Sequence, residues 1–289
     1  MVDKAIGIFD SGVGGLTVVR EILRQLPDEN IIYFGDTARV PYGTKSAKLV
    51  RKYAIQDARF LMSRDIKLLI VACNTVSAIG LEKLAQEVPV PIVDVIEPAC
   101  KAAVQVTENK KIGVIGTKAT ISSGIYPKII NKLDSAIEVI SKACPLFVPL
   151  VEEGWLDEEV TKFTARRYLR ELRGQIDTLI PGCTHYPLLG IVIEQELGKK
   201  TVVIDSAGAV AIRAKELLEQ EGFLTHSRSK GWHRYFVSDD PESFRKMAQL
   251  FLGEETLVVK EIDIEKEKKH IANKVLDEVV EDYSLILRQ

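Results

Sequence analysis

Two cysteines occupy matching contexts in this chain. LLIVACNT carries Cys73 ahead of Asn74 and Thr75, and DTLIPGCTHYP carries Cys183 ahead of Thr184 and His185. In each, an apolar run rich in β-branched residues leads to the thiol, and polar residues suited to capping a helix follow at once. Both thiols are therefore predicted at strand C-termini, the edge of a parallel sheet where ligands collect. The N-terminus of a following helix would lower a thiol's pKa by favouring the anion. A thiol and a thiolate on opposite faces of one carbon can remove a proton from one side and return one to the other, which is general acid–base chemistry with inversion. The plain alternative is two buried, inert cysteines; the repeated flanks argue against it.

Further residues gather at the same edge. DSGVGGLTV, residues 10–18, follows an apolar strand pattern and opens a helix. Thr17 stands where a dinucleotide-binding turn needs its third glycine, and there is no lysine for a phosphate loop. What is left is a glycine-rich turn whose backbone N–H groups could hold a small anion such as a carboxylate. Asp10 does not fit an anion site and is expected to meet an ammonium group, take a proton from a neighbour, or cap the turn. VPYGTKS, residues 40–46, supplies a rigid turn in which Tyr42 offers a hydroxyl and a backbone amide. His185, beside Cys183, can tune that thiol or supply a proton. Glu152 and Glu153, after an apolar run expected to end a strand region, form a solvated pair or turn one carboxylate into the cleft.

The elements that must place these residues follow a βαβα rhythm. Strands are predicted at Ala5 to Phe9, Ile31 to Phe34, Leu68 to Ala72 and Ile92 to Val95, with helices near Leu16 to Gln25, Lys45 to Met62 and Val76 to Glu87. The rhythm restarts with strands at Lys111 to Ile115, Ala136 to Ile140, Thr178 to Ile180 and Thr201 to Ile204, and helices near Ser122 to Leu133, Glu158 to Leu172 and Leu188 to Glu196. Such alternation indicates parallel sheets covered by helices. AIGIFDSG is echoed by KIGVIGTKAT, and LLIVACNT by DTLIPGCT. The expected fold class is thus α/β, with two similar domains, each a mostly parallel sheet flanked by helices, related by pseudo-two-fold symmetry around a site between them. Beyond a helix at Ala207 to Gln220 come a strand at His233 to Val237, a helix at Pro241 to Leu252 and a strand at Thr256 to Val259. In the charged tail, Ile271, Val275, Val279 and Tyr283, with Ala272, Leu276 and Val280, make a helical stripe. It is read as packing on its own subunit, with a homodimer contact as the alternative.

Composition narrows the function classes. The 289 residues carry 39 Lys and Arg against 41 Asp and Glu, a balance without the footprint of a nucleic-acid binder. The strand pattern at Ala5 leaves no room for a signal peptide, and no apolar stretch approaches a membrane span, so a cytoplasmic protein without a membrane partner is expected. Its four cysteines should then be free, with Cys100 and Cys144 as ordinary core residues. No CxxC or HxxxH spacing suggests a metal.

Taken in order, DSGVGG, VPYG, VACNT and GCTHYP closely resemble the motifs of the bacterial glutamate racemases, within the cofactor-independent aspartate and glutamate racemase group. The resemblance spans roughly Ala5 to Gly222. It implies interconversion of L- and D-glutamate with no cofactor, supplying D-glutamate for peptidoglycan. It also implies Cys73 and Cys183 as the two bases and substrate contacts from Asp10, Ser11, Tyr42, Gly43, Asn74, Thr75, Thr184 and His185. Asp10 and His185 would assist the thiols, with Glu152 behind His185. The chain would cross to the second domain near Pro98 and return near Ala207, giving a first domain of residues 1–97 plus 207–289 and a second of 98–206. An aspartate racemase or related isomerase, a dicarboxylic amino-acid binding module and a dithiol redox protein are the alternatives. The last would need Cys73 and Cys183 within bonding reach.

Overall fold

The computed structural model describes residues 1–227, 229–253, 257–264 and 266. Strands β1 Ala5–Asp10, β2 Ile31–Gly35, β3 Ile66–Val71 and β4 Ile92–Asp94 alternate with helices α1 Leu16–Gln25, α2 Ala47–Met62, α3 Asn74–Ile79 and α4 Leu81–Glu87. After α5 Ile96–Val106 the alternation restarts: β5 Lys111–Gly116, α6 Lys118–Ser122, α7 Ile125–Leu133, β6 Glu138–Ala143, α8 Phe147–Glu152, α9 Glu159–Leu169, β7 Thr178–Gly182, α10 Gly190–Leu197 and β8 Val202–Val203. The chain continues through α11 Ser206–Gln220, β9 His233–Val237, α12 Pro241–Leu252 and β10 Val259–Glu261.

Every paired strand is parallel. The first sheet is six-stranded in the order β10-β9-β2-β1-β3-β4, and the second is four-stranded in the order β6-β5-β7-β8. The run β2-β1-β3-β4 has the same connectivity as β6-β5-β7-β8, and the strands whose sequences echo one another, β1 with β5 and β3 with β7, hold equivalent central places. The thiol-bearing chain ends therefore emerge beside the middle of each sheet.

Strand alternation explains the layering. Ile6, Ile8, Tyr33, Leu68 and Ile70 point to one face of the first sheet, while Phe9, Ile32, Phe34, Leu69 and Val71 point to the other, under α2. The first of these cores does not stop at the sheet. It runs through Ile96, Ala99 and Cys100 of α5 and Val210, Ala211 and Ala214 of α11 to Val114 and Leu179 of the second sheet. Those two helices pack on each other where the chain passes between the sheets, so the halves share one apolar core.

Several elements depart from expectation for local reasons. The helix expected from Val76 splits at Gly80, whose N–H closes α3 on the Val76 carbonyl at 2.7 Å. The strand expected at Ala136 starts later, because the Asp134 carboxylate accepts the Ala136 N–H at 2.9 Å and holds a turn there. FVPLVE does not end a strand region; it is α8, with Pro149 in the first turn, where a missing N–H costs nothing. The last strand begins at Val259 rather than Thr256, which lies outside the described residues, as does the tail stripe from Ile271. Among the described residues no helix is long and apolar enough to cross a membrane.

Candidate active site between the two sheets

The strand C-termini of both halves meet in one cleft. Ser11, Val40, Pro41, Tyr42, Gly43, Cys73, Asn74 and Thr75 line it from the first half, and Thr117, Val148, Cys183, Thr184 and His185 from the second. Its free space is about 20 Å³, room for about one water. A ligand of amino-acid size is larger than that space.

On the first side, Cys73 directly follows the end of β3 and precedes α3, with its sulfur 3.8 Å from the Ser11 hydroxyl. Burial, reinforced by the Asp10 carboxylate, pushes this thiol up well above its ordinary range, against smaller opposing contributions from the Val76 N–H and Ser11. The expectation that a helix N-terminus would lower it is overturned: α3 is short, and the cost of an anion in a dry site outweighs the peptide dipoles. Asp10, fully buried, accepts the N–H groups of Gly12 and Gly15 on Oδ2, both at 3.1 Å. The glycine-rich turn thus spends these amides on its own carboxylate and does not offer them to an anion. The other carboxylate oxygen, Oδ1, is buried without a hydrogen-bond partner. Burial raises the Asp10 pKa, opposed by His185 and by the turn's N–H groups.

Tyr42 corrects another expectation. Its hydroxyl does not face the cleft; it contacts Asp36 Oδ2 and lies 2.9 Å from Asp57 Oδ2. Arg39 completes this buried cluster, reaching Asp36 at 2.6 Å and Asp57 at 2.9 Å. The phenol therefore anchors the loop from below. Gly43 faces the second half so closely that a Cβ there would lie 2.6 Å from Thr117 Cβ.

On the second side, Cys183 follows β7 and leads through a turn into a 3-10 segment, Tyr186–Leu189, so the helix expected next begins only at Gly190. His185 Nδ1 lies 3.9 Å from Cys183 Sγ. Its Nε2 faces Glu152 Oε1 at 3.3 Å, an ion-pair distance without aligned hydrogen-bond geometry. Burial lowers the His185 pKa, but Cys183, Glu152 and Asp10 together outweigh it and carry the imidazole up to about 10. Glu152 terminates α8 and is one-third exposed. Gly14 reaches over from the first half: a Cβ would come within 2.6 Å of His185 Nδ1 and closer still to Thr184 Oγ1. Cys100 and Cys144 are fully buried outside the cleft lining, and all four cysteines are free thiols.

The structure adds residues that the motifs leave out. Thr117 caps α6, accepting the Thr120 N–H, and its hydroxyl is 3.1 Å from that of Thr75 and 3.0 Å from that of Thr120. The echo of AIGIFDSG in KIGVIGTKAT aligns Thr117 with Ser11, a signal sufficient to find it. Val148 of α8 has no such signal, since it reaches the cleft only through tertiary packing.

The geometry provides two sulfurs in one dry cleft, one beside an imidazolium, with hydroxyl and amide groups around them. That arrangement can move a proton onto and off a carbon while holding a charged ligand. The sequence profile of the Asp/Glu/Hydantoin racemase family matches residues 6–214. A glutamate racemase from Geobacter metallireducens is 52% identical over 267 residues, covering 92% of this chain and 99% of that protein. Among solved structures, a glutamate racemase isoform from Bacillus anthracis superimposes with a TM-score of 0.88 at 40% identity, over 91% of this chain and 98% of that one. A glutamate racemase from Francisella tularensis in complex with D-glutamate gives a TM-score of 0.87 at 36% identity, over 92% of this chain and 100% of that one. The chain belongs to the Asp/Glu/Hydantoin racemase family.

Proposed function

We propose that this protein is a glutamate racemase that interconverts L- and D-glutamate by proton transfer at Cα between Cys73 and Cys183, and so supplies D-glutamate for peptidoglycan in the cytoplasm. The observation that carries this reading is that two thiols from equivalent strand ends of opposite halves line a single cleft. The first domain comprises residues 1–97 and 207–289 and the second 98–206, so each contributes one base.

In each direction one sulfur starts as thiolate and the other as thiol. The thiolate takes the Cα proton, the carbon becomes planar, and the opposite thiol delivers its proton to the other face. The sulfurs finish with exchanged protonation states. His185, cationic beside Cys183, stabilises the anion whenever that sulfur is the thiolate, while burial beside Asp10 favours the protonated form of Cys73. The Cα proton of an amino acid is far less acidic than a thiol, so charge building on the α-carboxylate must be met by fixed donors. Asn74, Thr75 and Thr184 supply them, with Ser11, the Tyr42–Gly43 backbone and His185 completing the contacts. The unpartnered Asp10 Oδ1 receives the substrate ammonium, and Glu152 holds His185 charged.

The test is incubation of the purified protein with L-glutamate in D2O. Optical rotation should decay to zero as deuterium enters Cα. Binding of glutamate without exchange would reduce the protein to a binding module, and exchange on aspartate in preference to glutamate would reassign the substrate.

A further inference from the structure

We propose that Tyr126 is a positioning residue for this reaction: its hydroxyl, reaching across from the second half, sets the orientation in which the Asn74 side-chain amide addresses the substrate. The inference rests on the reading that Asn74 contacts glutamate.

Tyr126 lies in α7 and is 1% exposed. It does not line the cleft, yet its hydroxyl accepts the Asn74 Nδ2 hydrogen bond at 2.9 Å. Asn74 follows Cys73 directly and is itself only 4% exposed. The Asn74 NH2 carries two N–H donors; with one given to the phenol the plane of the amide is fixed, and the second stays available to the ligand carboxylate. Without that partner, the buried NH2 would be unpaired and the amide could turn.

The same hydroxyl also bears on the other thiol segment. A Cβ at Gly182 would be 3.1 Å from the Tyr126 oxygen and 3.2 Å from its Cε2, and Gly182 immediately precedes Cys183. The phenol, which belongs to neither motif, thus hydrogen-bonds the residue after the first thiol and leaves no room for a side chain on the residue before the second. Burial raises the phenol's pKa well above its ordinary value, so the group stays neutral and serves as a fixed dipole.

Tyr126→Phe removes the oxygen and keeps the ring. Steady-state racemisation of both enantiomers by circular dichroism, and D-glutamate binding by calorimetry, should be measured on the whole chain for wild type, Tyr126→Phe, Asn74→Ala and the double variant. Tyr126→Phe should lower kcat/KM and weaken binding by about tenfold, the scale of one lost buried hydrogen bond. In the Asn74→Ala background it should change either quantity by less than about twofold, because the group it positions is gone. A packing role alone would lower Tm while leaving kinetics and binding unchanged, and would overturn the proposal. Multiplying effects in the double variant would overturn it too. If wild type binds D-glutamate but does not racemise it, the functional reading fails while the binding cycle still decides the role of Tyr126. If wild type does neither, both fall.

Discussion

The imidazole of His185 lies 3.9 Å from the sulfur of Cys183, whereas the sulfur of Cys73 faces the Ser11 hydroxyl at 3.8 Å and feels the carboxylate of Asp10. Two thiols at equivalent strand ends are thus electrostatically unlike. One has an imidazole beside it; the other has a carboxyl group. The backbone plan of the site is repeated, but the polar neighbours of its two sulfurs are not.

Cys73→Ala and Cys183→Ala should each abolish racemisation, since each removes the thiol that serves one face. Either variant should keep one-sided chemistry, read as elimination from a glutamate analogue with a leaving group at Cβ. Full racemisation by either would end the two-base assignment.

Alkaline pH should expose the role of His185. Its folded pKa, about 10, lies above the ordinary value of 6.5, so the stabilisation from holding the cation is complete below about pH 6.5 and is lost as pH rises through about 10. Catalysis that depends on the cation should decline over the same alkaline limb. Glu152→Gln removes one of the groups holding the charge and should move that limb to lower pH. Rate profiles from about pH 7 to 11 for the two proteins provide the check; coincident limbs would mean that Glu152 does not support His185.

Gly14→Ala should act on the cleft through the opposite half. The added methyl would press on His185 Nδ1 and Thr184 Oγ1, forcing the catalytic segment away from its place. A displacement of about 1 Å near reacting groups costs on the order of 100-fold in kcat. Gly124→Ala, where a Cβ meets nothing within 4 Å, should leave kcat near wild type despite some backbone strain at a positive φ. Equal losses in the two variants would point to general destabilisation.

The cluster beneath the Tyr42 loop predicts an asymmetry in stability. Arg39→Ala leaves Asp36 and Asp57 buried without their guanidinium and should cost about 3–5 kcal/mol. Burial, then Asp36, raises the Asp57 pKa well above the ordinary carboxylate value, so the fold disfavours ionising this group and Asp57→Asn should cost less than Arg39→Ala. Because the folded pKa is the higher one, Asp57 contributes a penalty that is absent at acid pH and grows as pH rises above its ordinary range. Urea unfolding at two pH values should show Asp57→Asn gaining on wild type as pH increases. A loss as large as that of Arg39→Ala would require Asp57 to be ionised.

The order of the elements could be read from the chain alone, because buried parallel strands must be short, β-branched and apolar, and the helices between them must be amphipathic. The echo of LLIVACNT in DTLIPGCT likewise marked Cys73 and Cys183 as equivalent, since sequence around a strand end determines where that end falls. Tertiary structure decided where the polar groups went. It spent the Gly12 and Gly15 amides on Asp10, turned the Tyr42 hydroxyl away toward Asp57, and brought Thr117, Val148 and Tyr126 to the thiol segments. It also raised the Cys73 pKa where a helix start alone would have lowered it. Hydrogen bonds and desolvation depend on neighbours that are distant in sequence, and no local pattern encodes who those neighbours are.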